Sequence, residues 1–400
     1  MKNNRILKVN LYQETIGYIT KLPSDKNLFT FDERYVEEAQ RPILSLSFKD
    51  AEGDLIREVK MTQTRLPPFF SNLLPEGDLR EYLAKRAGVD PQREFLLLEV
   101  LGRDLPGAVT VELAEESAFA GKGETTRPTR AIPLRFSLAG LQLKFSAVAK
   151  QDHQFVIPSS GEGGQWIVKL PHTVFERVPE NEYSMMELAR RMGIEVPATE
   201  LIPLDRLQGV PQGVRALGEF VYAVKRFDRD DQGQKIHIED FAQVFGVYPE
   251  KKHKSASYRN IVEVIWKEIG EEGVAEFIKR FVFNALIGNG DMHIKNFSLI
   301  YPNKTQAALA PAYDFVSTIF YLPQETLALN FSGTREFSAL SKERFKQFAQ
   351  KSHLPERWVL DIVEQSVDLF FKAWKTVKEL PLKKEMCSCI EKHFQSLPFI

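Results

Sequence analysis

Between Phe283 and Ser317 the chain reads FNALIGNGDMHIKNFSLIYPNKTQAALAPAYDFVS, and a few of its side chains have the types and spacing for phosphoryl transfer. A helical run ends in Gly-Asn-Gly, a turn that delivers Asp291, His293, Lys295 and Asn296 in one loop. Two apolar stretches, FSLIY and AALAPAYDF, joined by a PNKT turn, then read as a hairpin that closes on Asp314. Phosphoryl transfer needs a carboxylate that orients the acceptor hydroxyl and takes its proton, and Asp291 fits that role. It also needs hard oxygen ligands for Mg²⁺. Asn296 and Asp314 supply those once the hairpin brings both to one ion. Asp and Asn are common in turns, so either alone would signify little; the joint placement, with apolar strands between, carries the reading. His293 is read equally as a nucleotide contact and as a satisfied buried histidine, since no HExxH pattern makes it a zinc ligand.

A loop aspartate, an asparagine five positions on and a hairpin ending in Asp-Phe make the layout of a protein-kinase catalytic centre. Such a centre needs a nucleotide clamp upstream. The strand QWIVKLP places Lys169 where an ammonium reaches α- and β-phosphates, and Glu182 in the next helix is its candidate partner. VYAVKRFD, at 221–228, sits where two lobes should join, and its backbone around Val224, Lys225, Arg226 and Phe227 is placed to hydrogen-bond adenine. There is no GxGxxG and no Walker A motif; GEGG at 161–164 reads as a hairpin turn. The phosphate-loop candidate is SLAGLQLKFS, at 137–146, where Ala139 and Gly140 let the backbone approach anionic oxygens and Ser137 and Lys144 lie close by.

The elements that must position these residues follow from patterning. ILKVNLYQ, ETIGYIT, PILSLSF and DLIREVKM read as strands of a small first module, followed by helical runs around Leu79–Leu83 and at 95–102. The polar stretch 115–130 is a linker. RFSLAG, LKFSAVAK, HQFVIPS, QWIVKLP, TELIPL, RALGEF and YAVKRFD form a strand-rich lobe holding one amphipathic helix, ENEYSMMELARRMG. From about Ile238, starting with IEDFAQVFG, the chain reads as helical. The expected fold class is α+β, a bilobal protein-kinase-like fold behind a small β-rich subdomain. The boundaries are 1–128, 129–230 and 231–400.

Length and composition agree. At 400 residues the chain is long for one core, on a prior of roughly 150 residues per domain. Its 53 basic and 54 acidic residues sum to −1, which excludes a globally basic nucleic-acid coat but not a local patch such as KKHK at 251–254 with Arg259. That patch reads as a solvated helix cap or as a contact to phosphate of DNA or to an acidic segment. Cys387 and Cys389 can build neither a disulfide framework nor a four-cysteine zinc site. No apolar run reaches the roughly 18 residues of a membrane span, so the expectation is a cytoplasmic protein without membrane contact.

FSLAGLQLKFSAV, WIVKLP, NEYSMMELARRMGIEVP, VKRFDR, IEDFAQVFGVYPEKK, GNGDMHIKNFS and APAYDFVST together resemble the HipA kinases, toxins of bacterial type II toxin–antitoxin pairs. The resemblance runs from about residue 130 to 380, and the first 115 residues look like that family's N-terminal subdomain. It implies that Asp291 is the catalytic base, that Asn296 and Asp314 bind Mg²⁺, that Lys169 contacts ATP, and that Ser137 is the autophosphorylated serine of a phosphate loop. Modifying Ser137 is expected to expel that loop and switch the kinase off. The family's loop commonly reads AGAQxK; here Leu141 and Leu143 depart from it. The resemblance also implies a helix-turn-helix antitoxin, operator DNA bound through it, and a translation factor such as an aminoacyl-tRNA synthetase as substrate. Two other classes share these residues: a catalytically silent co-repressor, and a kinase of small molecules or lipids, for which the first 115 residues have no evident use.

Overall fold

The computed structural model describes residues 5–114, 143–150, 154–158, 164–209 and 217–400. Strands β1 (Arg5–Leu11), β2 (Glu14–Leu22), β3 (Lys26–Phe31), β4 (Thr62–Gln63) and β5 (Val109–Leu113) form a five-stranded sheet in the order β4-β3-β2-β1-β5. Period-2 patterning makes the sheet one-sided: Leu7, Val9 and Leu11 of β1 are all fully buried. Helices α1 (Glu33–Glu37), α2 (Pro68–Ser71), α3 (Gly77–Ala87) and α4 (Glu94–Leu101) complete the module. Phe29, Phe48, Phe69, Phe70 and Phe95 fill the core beneath them.

Patterning misassigned parts of this module. β3 and β5 are strands that it did not mark. PILSLSF is instead a loop with a short 3₁₀ turn at Leu46–Phe48, where the Ser45 side chain accepts from Ser47 N. DLIREVKM has no ladder beyond an isolated bridge at Leu55.

The strand-rich lobe is a six-stranded sheet in the order β10-β7-β6-β8-β11-β9. Its strands are β6 (Lys144–Ala149), β7 (Phe155–Val156), β8 (Trp166–Lys169), β9 (Thr199–Pro203), β10 (Leu207–Gln208) and β11 (Phe220–Lys225). Helix α5 (Val178–Arg191) packs its Met185, Leu188 and Ala189 face against this sheet and the helical lobe. A small sheet, β12 (His237–Asp240), β13 (Ser298–Tyr301) and β14 (Ala308–Leu309), opens the second lobe. Expected as the start of a helix, Ile238–Asp240 pairs with β13 instead, and the helix α6 (Phe241–Val244) starts only at the Asp240 capping box. Helices α7 (Tyr258–Glu268), α8 (Glu271–Ile287), α9 (Lys342–Lys351), α10 (Glu356–Trp374) and α11 (Lys384–Gln395) build the rest. From Phe277 on, α8 is buried nearly all round, as a helix through the centre of a lobe must be. The fold class is therefore the expected one, and among the described residues no helix is long and apolar enough to cross a membrane.

The first module is bonded into the helical lobe through buried polar groups. Glu239 on β12 is fully buried and accepts from Ser45 Oγ at 2.5 Å, Leu46 N at 3.0 Å and the Tyr301 hydroxyl. Arg226 and Arg229 share Asp228 and Asp104, and Asp228 also accepts from Gly107 N at 2.8 Å. Tyr12 and Gln13, the β1–β2 turn, both have positive φ (51° and 71°), as the twist of a tight hairpin demands. The Tyr12 hydroxyl holds that conformation by donating to Tyr301 O at 3.2 Å and accepting from His237 N at 3.0 Å. Glu239→Ala takes the carboxylate acceptor from the Tyr301 hydroxyl and Leu46 N and leaves Ser45 Oγ only Ser47 Oγ; a buried donor left unpaired costs about 1–3 kcal/mol. Its thermal unfolding should begin several degrees lower, with the first module releasing first; a melting curve unchanged from wild type would mean the latch contributes nothing.

Candidate active site

The turn that carries Asp291 is built by the end of α8. Gly288 caps the helix in the left-handed region (φ 65°). Asn289 then bridges back, donating from Nδ2 to Asn284 Oδ1 at 2.7 Å and accepting from Asp291 N at 3.0 Å. A Cβ on Gly290 would stand 2.7 Å from Thr326 O, so only glycine allows that approach. The chain thus turns sharply and presents Asp291 at the mouth of a cleft. Asn296 Oδ1 accepts from His293 N at 3.1 Å, and its Nδ2 donates to Asp314 Oδ2 at 3.3 Å. Asp314 itself has φ 58°, a left-handed conformation that a non-glycine residue adopts only when its surroundings hold it.

Lys169 and Lys144 lie directly opposite one another on β8 and β6, so both ammonium side chains project from one face of the sheet into the cleft. Lys169 Nζ meets Glu182 Oε1 of α5 at 2.5 Å and also pairs with Asp314 Oδ1. Burial works against the Lys169 charge, but the two carboxylates outweigh it and raise its pKa. Asp314, despite its burial, is held down at about 2 by Lys169 and Lys144. Glu182 is 1% exposed, with Oε2 unpartnered among the described residues, and burial pushes it up to about 7. Asp291 sits in the cleft wall with 61% of its side chain still open to solvent. Partial desolvation, with Asp314 and Glu325 adding to it, raises its carboxyl to about 6 against the pull of Lys252.

The structure brings Lys144, Lys169, Glu182, Asp291, Asn296 and Asp314 to one cleft, lined also by His172, Phe175, Asn289, Thr318 and Tyr321. His293 is buried just behind Asp291. Ser137, Ala139, Gly140 and most of the GEGG turn lie outside the described residues. The 224–227 segment joins the lobes, but its side chains point elsewhere. Lys225 Nζ pairs with Asp231 at 2.7 Å, and Arg226 is buried against Asp228. Their N–H groups donate to Ala198 O and Gln165 O, while the Phe227 ring lies against Tyr313. Patterning missed Asn181 and Thr318. Asn181 exchanges two hydrogen bonds with the backbone of Ser317, and Thr318 Oγ1 accepts from Gly290 N and donates to Gly288 O. It missed too that Lys295 reaches Glu76, Asn72 and Asp240 rather than the cleft. None of these pairings follows a local period. Within KKHK, Lys251 ends and Lys252 caps the 3₁₀ turn Pro249–Lys251, the Lys252 side chain pairs with Glu76, and His253 stands 3.9 Å from Asp291.

This geometry has close relatives. The HipA-like C-terminal domain matches residues 136–374 and the HipA N-terminal domain matches residues 7–112. The chain belongs to the HipA family. "Putative kinase Y4dM" of Sinorhizobium fredii is 49% identical over 97% of this chain and 96% of its own length. The "Serine/threonine-protein kinase toxin HipA" of Shewanella oneidensis is 24% identical over 76% of this chain and 73% of its own. The fold matches the Shewanella oneidensis toxin–antitoxin complex of HipA, HipB and operator DNA, with TM-score 0.74, 20% identity, and 98% and 96% of the two chains covered. HipA-family membership makes this a kinase-type protein, and the Lys169 cluster is its electrostatic centre.

Lys169→Met removes the cation between Glu182 and Asp314. In the wild type the depressed Asp314 contributes stability above its unfolded pKa of about 3.8, lost as pH falls through about 2. In the variant Glu182, already pushed up to about 7 by burial, loses its cation and rises further, and Asp314 loses the strongest pull on its carboxyl, so stability should fall more steeply with rising pH than in the wild type. The melting-temperature deficit against wild type should therefore be larger at pH 8 than at pH 5. Equal deficits at both would show that Lys169 does not set these charges.

Proposed function

We propose that this HipA-family chain is an ATP- and Mg²⁺-dependent serine/threonine protein kinase that phosphorylates itself at Ser137 and acts as a growth-arresting toxin. Its substrate on this reading is a translation factor such as an aminoacyl-tRNA synthetase. A cognate helix-turn-helix antitoxin, bound to operator DNA, neutralises it in the cytoplasm. The observation that carries the catalytic part is the convergence of Asp291, Asn296 and Asp314 with the Lys169–Glu182 ion pair in one cleft. The partners rest on the resemblance to the Shewanella oneidensis complex.

The donor set fits the hard cation that the reading requires. Asn296 now points Nδ2 at Asp314 Oδ2, 3.3 Å away, with Oδ1 accepting from His293 N; turning that amide over would set an oxygen beside the Asp314 carboxylate, and oxygen is what Mg²⁺ takes. A bound Mg²⁺–nucleotide would supply the transferable phosphoryl group and neutralise its charge. Lys169 and Lys144 face the same space and would hold the phosphate oxygens, with Glu182 keeping Lys169 aimed as Asp314 turns to the metal. Asp291, at the mouth, accepts the proton from the acceptor hydroxyl; its raised pKa gives it basicity near neutral pH without desolvating it fully. For adenine, Phe227 and the 224–227 carbonyls remain the candidates, since the Lys225 and Arg226 N–H groups are already spent.

Intact-mass spectrometry of phosphatase-treated wild type and Asp291→Asn, incubated with ATP and Mg²⁺, tests the assignment. Wild type should gain phosphate that peptide mapping places at Ser137, and the variant should be slower by several orders of magnitude. Equal incorporation by both would remove Asp291 as base. A Ser137→Ala variant should remain a kinase and be more toxic than wild type on controlled expression; equal toxicity would remove the self-inactivation.

A further inference from the structure

The KKHK loop, between α6 and α7, brings an imidazole to the catalytic turn. His253 Nε2 lies 3.9 Å and His293 Nε2 4.0 Å from the same atom, Asp291 Oδ1. The two rings meet edge to face, with centroids 4.8 Å apart. One ligand atom from each of the three residues lies within 4.8 Å of the other two. His293 is only 6% exposed, and its Nδ1 has no hydrogen-bond partner among the described residues. Burial lowers the pKa of both imidazoles, so both are in the neutral form that coordinates metals.

We propose that His253, His293 and Asp291 form a transition-metal site that takes Zn²⁺ and, when filled, blocks the catalytic carboxylate. Two imidazoles and a carboxylate suit Zn²⁺, Co²⁺ or Ni²⁺ far better than Mg²⁺, which wants oxygens. Ligands at about 2.0–2.2 Å from a tetrahedral Zn²⁺ stand about 3.4 Å apart. Closing the observed separations therefore takes roughly half an ångström per side chain. His253 and Asp291 can move that far, with 40% and 61% of their side chains exposed. The same exposure leaves an open position for water, as in a reversible rather than a structural site. The Lys252 ammonium beside them is paired with Glu76 at 3.2 Å; Lys252 and Arg335 add positive potential, countered by Asp314, Glu325 and Glu76. The site is separate from the Asn296–Asp314 pair. Coordination would tie up the lone pairs with which Asp291 accepts the acceptor proton, so the block, though not the binding, rests on the kinase reading above.

Co²⁺ titration of the full chain in excess Mg²⁺, read by its visible d–d absorption, tests the binding. Wild type should take up one Co²⁺ with the intense spectrum of a tetrahedral centre, displaced by Zn²⁺. His253→Asn, which removes a ligand from a partly exposed loop, should bind about 100-fold more weakly. In parallel, ATP-dependent phosphate incorporation by phosphatase-treated protein is measured in excess Mg²⁺, with a zinc-selective chelator and with Zn²⁺: wild type should be inhibited at Zn²⁺ levels that leave His253→Asn active. Absence of a tetrahedral spectrum, or equal Co²⁺ affinity in the variant, overturns the site. Equal Zn²⁺ inhibition of both proteins overturns the block. Co²⁺ binding without any incorporation in chelator would support the site and sink the kinase reading instead.

Discussion

The charge of Lys169 is the constraint on which the rest of the site depends. One ammonium, 12% exposed, lies between carboxylates from two other parts of the chain: Glu182 on α5 and Asp314 after the small sheet. Two desolvated carboxylates repel, and either alone would leave a buried charge unpaired, which costs several kcal/mol. The lysine therefore makes sense of both acids, and through them it fixes the distance from sheet to helix and from sheet to the loop of the second lobe. Neighbouring bonds run the same way. Asn181, next to Glu182 in sequence, is clamped to Ser317, three residues past Asp314, and Thr318 is bonded to the catalytic turn. Helix α5, the Asp314 segment and the Asp291 turn are thus one hydrogen-bonded unit, which explains how Asp314 is kept at a positive φ.

A second cation ties the first module to that unit. Lys295, one residue before Asn296, is bound by Glu76 at 3.0 Å and Asp240 at 3.2 Å, and donates to Asn72 Oδ1 at 2.8 Å. Its pKa is raised because those acids outweigh its burial. Glu76, shared with Lys252, is held down at about 2 in spite of its own burial. The first module is therefore part of the scaffold of the catalytic loop. A kinase lobe pair lacking it would leave Lys295 with Asp240 alone, and the loop that carries Asp291 and Asn296 would lose its outer support. This also gives the first 115 residues a use that a free-standing small-molecule kinase would not need.

The convergence of Asp291, Asn296 and Asp314 was legible because it is tied to local spacing: a turn, five positions and a hairpin bring the three to one cleft. Lys169 and Glu182 were legible for a similar reason, as a strand and the helix after it. The fold class followed from the same order of elements. Legibility failed where tertiary partners decide. PILSLSF has the alternation of a strand, yet Ser45 and Leu46 are used to bond Glu239, and no neighbouring strand is available to pair it. IEDFAQVFG has the apolar spacing of a helix from Ile238 on, but β13 offers an edge to Ile238–Asp240 and the Asp240 capping box postpones the helix. The 224–227 backbone reads as a hinge able to bond adenine, but the Arg226 N–H is used by Gln165 O, and its side chain is held by Asp228 two positions on and by Asp104 of the first module, neither of which has a local signature.

Register explains a feature that neither motif shows alone. Lys144 and Lys169 were singled out separately, one from a phosphate loop and one from a strand, and β6–β8 pairing sets them directly opposite. Like charges directly opposite across a ladder are destabilising, and a sheet selected for stability alone would place an acid or a hydroxyl at one of the two positions. Glu182 and Asp314 offset part of that repulsion, but both already serve Lys169, and burial together with Lys169 pulls the Lys144 pKa down. On the proposed reading, a polyphosphate placed between the two ammonium groups would relieve their repulsion and free Asp314 from Lys169 in the same event. Metal binding at Asp314 and phosphate binding at the lysines would then be coupled through one ion pair, each strengthening the other.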